Sequence, residues 1–133
     1  MTIPILRLSI DDARSAYQPG DTLAASYHVE AAEGGAPQAL ELSVLWRTEG
    51  KGDEDMAVHF FERMTADEAA HVDFRQPRLF STVLPGAPLS YDGVILKIRW
   101  CVRLRAFLPR GKQLVEECPF RLGNIPAARA ILP

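Results

Sequence analysis

Cysteine is scarce: the 133 residues contain only Cys101 and Cys118, so one disulfide is the most the chain can form. Long apolar runs are missing too. No stretch approaches the roughly 20 apolar residues that a membrane-spanning helix needs. The first residues, MTIPILRLSIDDAR, carry no basic leader, long apolar centre or small-residue cleavage site, and the expected location is the cytoplasm. That compartment argues against the disulfide. Charge of one sign is absent as well: 15 Lys and Arg stand against 17 Asp and Glu, a formal net charge of -2, which gives no overall pull toward nucleic acid or membranes. Histidine occurs three times, at His28, His59 and His71, never at a spacing with Cys, Asp or Glu that zinc requires. Neither a Gly-x-Ser-x-Gly elbow nor a phosphate-cradling glycine loop is present, and the Gly50, Lys51, Gly52 piece is too short to serve as one. The expectation is therefore a protein that is not an enzyme and uses no cofactor.

What is there is an ordinary globular composition, 47% apolar and 24% charged. The length suffices for one domain with a real core and is short for two. Residues 1–133 are expected to form a single domain, with 123–133 as a C-terminal tail. The most informative stretch runs from Val94 to Phe107. Leu96, Ile98, Trp100, Val102 and Leu104 share one parity while Lys97, Arg99, Cys101, Arg103 and Arg105 share the other, the period of a half-buried strand. Turn residues bracket it, from Pro85 to Gly93 before and at Pro109 and Gly111 after. Such a strand belongs in the middle of an antiparallel sandwich.

Its partners can be read in order. Strands are expected at Ile3–Ile10, Thr22–Glu30, Ala39–Thr48, Met56–Met64, Arg75–Leu84 with an interruption at Pro77, and Gln113–Leu122. In the Met56–Met64 run, Val58 and Phe60 compete with His59 and Phe61 for the inner face, and parity leaves the choice open. Thr65 with Glu68 makes a capping box that allows one short helical turn over Thr65–Ala70, and Ile131 and Leu132 suggest a docked tail. About seven strands with no long helix define an all-β, immunoglobulin-like antiparallel β-sandwich. Matching apolar faces across the last hairpin sets Val102 opposite Cys118, Trp100 opposite Phe120 and Glu117 opposite Arg103. Cys101 then points outward and Cys118 inward, so two free thiols are expected, with Cys101 the more accessible.

Three stretches resemble the arrestin N-terminal-type β-sandwich domain, in a single-domain version. Tyr17, Pro19, Gly20 and Asp21 before the strand from Thr22 resemble its turn and second strand. Phe80, Leu84, Pro85 and Pro88, then Ser90, Tyr91, Asp92 and Gly93, resemble its strand and proline-rich turn; the run from Val94 to Leu108 resembles the long strand that follows. The resemblance implies a non-catalytic adaptor or scaffold that binds other proteins. Relatives of this kind pair two such sandwiches, whereas only one fits here, so no family site residue carries over.

Two surface features remain. Asp53, Glu54 and Asp55 form an acidic loop that could imitate a calcium site of a lipid-binding sandwich if Asp11, Asp12, Asp21 or Asp92 came to the same end; a solvated loop is the plainer reading. Lys97, Arg99, Arg103 and Arg105 form a cationic stripe. Cross-strand carboxylates such as Glu117 and Glu41 would make it an ordinary charged face. The sharper reading is a docking face for an acidic protein segment, with Arg99 left opposite another cation, Arg121. Nucleic acid is not expected, because interleaved exposed aromatics and overall basic charge are lacking. The edge strands of such a sandwich leave homo-oligomerisation open.

Overall fold

The computed structural model describes residues 4–12, 14–30, 37–50, 52, 54–65 and 74–128. Among them are eight strands: β1 Ile5–Ile10, β2 Thr22–Glu30, β3 Ala39–Gly50, β4 Met56–Thr65, β5 Arg78–Val83, β6 Tyr91–Asp92, β7 Leu96–Phe107 and β8 Gln113–Phe120. One sheet has the order β1-β2-β5. The other has the order β4-β3-β7-β6, with β8 also pairing β7. All pairings within the sheets are antiparallel. The strand expected to be central is central, since β7 pairs β3 on one side and both β6 and β8 on the other. Only the two-residue β6 adds to the seven expected strands, and it lies where turn residues dominate the sequence.

Alternation decides which side of each strand faces the other sheet. Leu40, Leu42 and Val44 of β3 and Trp100, Val102, Leu104 and Ala106 of β7 meet Leu6, Leu23, Ala25, Tyr27, Val29 and Phe80 of the smaller sheet in one core. Trp46 packs against that core without being fully enclosed. Trp100, 1% exposed, lies between Phe120 at 5.8 Å and His59 at 6.2 Å between ring centroids. Its indole Nε1 donates to Pro88 O at 2.8 Å, which satisfies the one polar atom that its burial would otherwise strand.

The competing parities of β4 resolve as a β-bulge. Val44 faces Phe60 while Leu45 faces Val58, so the register shifts between Val44 and Leu45 and His59 is the extra residue. A bulge rotates the strand beyond it by one residue. Phe60 therefore turns inward and stacks on Phe80 at 5.4 Å, whereas both Val58 and Phe61 stay outside, 49% and 54% exposed. His59 Nε2 donates to Val83 O at 2.8 Å, tying the free edges of β4 and β5 together.

The Tyr17 to Asp21 segment is a structural clasp. Pro19 and Gly20 occupy the centre of a turn closed by Asp21 N donating to Gln18 O at 3.0 Å, and Gly20 takes the φ of 87° that its place there requires. Tyr17, 1% exposed, pairs in parallel with Leu122. It donates its backbone N–H to Arg121 O at 2.8 Å and accepts from Gly123 N at 2.6 Å. The start of the tail is held there, and Ala128 N donates to Asp92 O at 2.8 Å. The expected helical turn after Thr65 and the docking of Ile131 and Leu132 lie outside the described residues, as do His71 and Asp53.

The packing of Trp100 separates two contributions. Trp100→Ala is expected to cost about 3 to 5 kcal/mol as a large-to-small core change, and Trp100→Phe about 1 to 3 kcal/mol through the stranded Pro88 carbonyl. Urea denaturation measures both, and a Trp100→Phe variant as stable as the wild type would show that the Nε1 bond contributes nothing.

Candidate functional site

The outward parity of β7 places Lys97, Arg99, Arg103 and Arg105 on one face of the five-stranded sheet. Their cross-strand neighbours on β3 are Glu49, Arg47, Ser43 and Glu41 respectively. The four cations have two different fates. Arg99 donates Nε to Glu49 at 3.0 Å and reaches Asp92 at 3.4 Å, and Arg121 shares Asp92 at 3.8 Å. The expected confrontation of Arg99 with Arg121 is thus bridged by a carboxylate supplied by β6. Arg103 pairs Glu117 at 3.0 Å, as the hairpin register requires, and Arg47 joins the same carboxylate at 3.1 Å. Glu41 lies opposite Arg105 but gives its carboxylate to Arg63. Among the described residues, Lys97 and Arg105 make no ion pair, and the buried Nε of Arg105 has no acceptor, a condition that ordinarily costs about 1 to 3 kcal/mol.

Beneath these charges the outer face has an apolar floor. Leu45 is 1% and Cys101 5% exposed, covered by the side chains around them, since long cationic stems shield apolar surface while their heads stay wet. This reverses the accessibility expected of the two thiols. Cys101 does point outward, but it is buried, whereas the inward Cys118 is only half-buried at the sheet edge. Burial, then the charge of Glu117 and the bond the thiol donates to it, push Cys101 up to about 12; that Sγ to Oε2 distance is 3.4 Å. Burial also raises Glu117, but the hydrogen bonds from Arg103 and Cys101 and the charges of Arg103 and Arg47 outweigh it. The carboxyl sits below its ordinary value.

Between β4 and β7 the face opens into a groove of about 170 Å³ lined by Glu41, Ser43, Leu45, Met56, Val58, Phe61, Arg103 and Arg105. Met56, Val58 and Phe61 project there because the bulge turned them out. Sequence parity alone did not bring these residues to notice, although the undecided pattern of Val58 to Phe61 is the trace a bulge leaves. A second depression, next to Lys97, is lined by Val94 and Ile95 with Glu49 and Gly50. Gly50 has no room for a Cβ, which would stand 2.3 Å from Ile95 O.

The acids that would have had to join the Asp53 to Asp55 loop in a cation site are otherwise engaged. Asp11 accepts from Ser26, Asp12 and Asp21 both hold Arg14, and Asp92 serves Arg99 and Arg121. No group of three or more metal-ligating side chains occurs among the described residues, Asp53 being outside them. No helix among those residues is long and apolar enough to cross a membrane.

Sheets of three and five strands joined in this order, with the long β7 central and the Tyr17 clasp closing one end, make this an arrestin-like β-sandwich. A solved structure with the same fold is that of Spo0M, a sporulation control protein from Bacillus subtilis. The two superpose with a TM-score of 0.62 at 15% identity, over 94% of this chain and 51% of that one. At that identity the likeness is one of fold, and this chain spans about half the length of the matched protein. No protein-family model and no curated sequence matches the chain.

Two outcomes test the buried network. In a native-state thiol titration Cys118 should react first and Cys101 only on unfolding, because a thiol titrating near 12 is ionised to about one part in 10⁵ at neutral pH; a fast reaction that survives Cys118→Ser would place the accessible thiol at Cys101. Glu117→Gln should cost about 1 to 2 kcal/mol at neutral pH by leaving Arg47 and Arg103 face to face. Since the folded carboxyl titrates below its unfolded counterpart, its contribution is complete above about pH 4.3 and is lost as the pH falls through the folded value. The gap between the variants should close in acid, and a gap independent of pH would mean that the carboxylate charge is irrelevant.

Proposed function

We propose that this chain is a non-catalytic, arrestin-like protein-interaction module of adaptor or scaffold type. Its docking face is the outer side of the five-stranded sheet, with Lys97, Arg99, Arg103 and Arg105 supplying the charge. The observation that carries this reading is the incomplete neutralisation of the stripe. Arg99 and Arg103 are locked to carboxylates, which makes the face rigid. Lys97 and Arg105 keep a net positive field at its two ends, suited to steering an acidic protein segment. Binding is favoured over catalysis by what the nucleophiles and bases do instead. Ser90 Oγ accepts from Leu122 N at 2.8 Å, His59 bridges two strand edges, and the Cys101 thiol is held protonated. Two free thiols on opposite faces of one strand pair suit a reducing compartment, in keeping with a cytoplasmic module.

A lipid-binding role is the second reading, and it draws on one observation. Val94, Ile95 and Leu96 form an apolar tip, 63%, 73% and 46% exposed. Arg105, the other cation without an ion pair among the described residues, lies eight positions along β7 from Lys97 beside that tip, and an inserted tip would leave it unused, which places the protein-binding reading first.

Reversing both free cations tests the assignment. Lys97→Glu with Arg105→Glu should leave the melting temperature nearly unchanged, because neither makes an ion pair among the described residues. Quantitative pull-downs from source lysate at low and high salt should lose the salt-sensitive set of acidic proteins captured by the wild type. Unchanged capture with an unchanged salt dependence would remove the stripe from consideration.

A further inference from the structure

We infer that the groove between β4 and β7 takes a peptide segment presenting an apolar side chain beside a carboxylate, the apolar group against Met56, Val58 and Phe61 and the carboxylate on Arg105. The inference rests on the docking face proposed above and specifies what occupies it. Charge complementarity identifies the anion. Every other arginine around this groove already holds a carboxylate: Arg63 holds Glu41, Arg103 and Arg47 share Glu117. Arg105 lines the groove, and its guanidinium makes no ion pair among the described residues. A carboxylate entering there gains a charge-assisted bond without breaking an existing pair.

The apolar half of the motif follows from the bulge. On an edge strand the usual outward residues are polar or charged, which discourages association. Here Met56, Val58 and Phe61 are 57%, 49% and 54% exposed around a floor made by the fully buried Leu45. An apolar pocket rimmed by a cation that makes no ion pair among the described residues matches neither a purely acidic segment nor a purely apolar one. Phe61 cannot turn inward to escape water, because Phe60 already holds the inner position against Phe80. Interfaces of this composition place an apolar anchor at the centre and a charge at the rim, the first setting residence and the second setting encounter.

Short peptides of equal negative charge distinguish this from general electrostatic docking. One series intersperses Leu and Phe among Asp and Glu; the other replaces each Leu and Phe by Ser. Fluorescence anisotropy with the full chain should show the acidic-apolar series binding roughly tenfold or more tightly, the difference expected for one anchored apolar side chain. Val58→Ser and Phe61→Ser, both at exposed positions, should bring that series down to the level of the serine series. Arg105→Gln should weaken it by a similar factor, and methyl signals of Met56 and Val58 should shift on titration. Equal binding of the two series with no effect of Phe61→Ser would overturn the groove while leaving the charged face standing. No binding of either series would overturn both. Binding to vesicles of anionic phospholipid, lost in the same variants and unmatched by any peptide, would overturn the partner class.

Discussion

The structure depends on the register in which β7 sits between β3 and β8. Its alternation places Trp100, Val102 and Leu104 against the smaller sheet and Lys97, Arg99, Arg103 and Arg105 away from it. A slip of one residue would exchange the two sets. Four cations would then enter a core with no carboxylates prepared for them, a cost far beyond the stability of a small domain. That penalty fixes β3 on one side, since Val44 must face Val102 and Trp46 must face Trp100, and β8 on the other, since Cys118 and Phe120 must follow them inward.

The same constraint that protects the core creates the problem of the outer face. Cations forced to one side of a rigid strand repel one another, and the neighbouring strands answer with Glu49, Asp92 and Glu117. Glu117 does most, holding two arginines and accepting from the Cys101 thiol that lies under them. The supply of carboxylates runs short at the two ends. Glu41 would have answered Arg105, but Arg63 on the edge strand claims it. The free charge at that end is therefore a consequence of where β4 lies, as is the apolar groove beside it.

Likeness to Spo0M extends over most of this chain and about half of that protein. What the two share is the sandwich fold; in this chain the sandwich is closed by a clasp in which Tyr17 meets Leu122, Gly20 turns the chain, and Ser90 receives Leu122 N. These contacts join the beginning, middle and end of the chain at one pole of the sandwich. The cationic face and its groove lie elsewhere, on the broad side of the larger sheet, which leaves the clasp free to be purely structural.

The strands, their order of faces and the last hairpin register were legible in the residues themselves. Period-two patterning acts over neighbouring positions, and burial of one face permits a single answer, so Val102 opposite Cys118 and Trp100 opposite Phe120 followed without coordinates. The bulge at His59 was visible only as an undecided parity, because which residue is extra depends on the partner strand. Likewise, sequence could say that Cys101 points outward but not that Arg47, Arg103 and Glu117 close over it, and it could place Glu41 near Arg105 but not award its carboxylate to Arg63. Alternation is a local property carried by each strand alone. Burial on an outer face and the choice among competing ion pairs are settled by side chains from several strands at once, and only the tertiary structure brings those together.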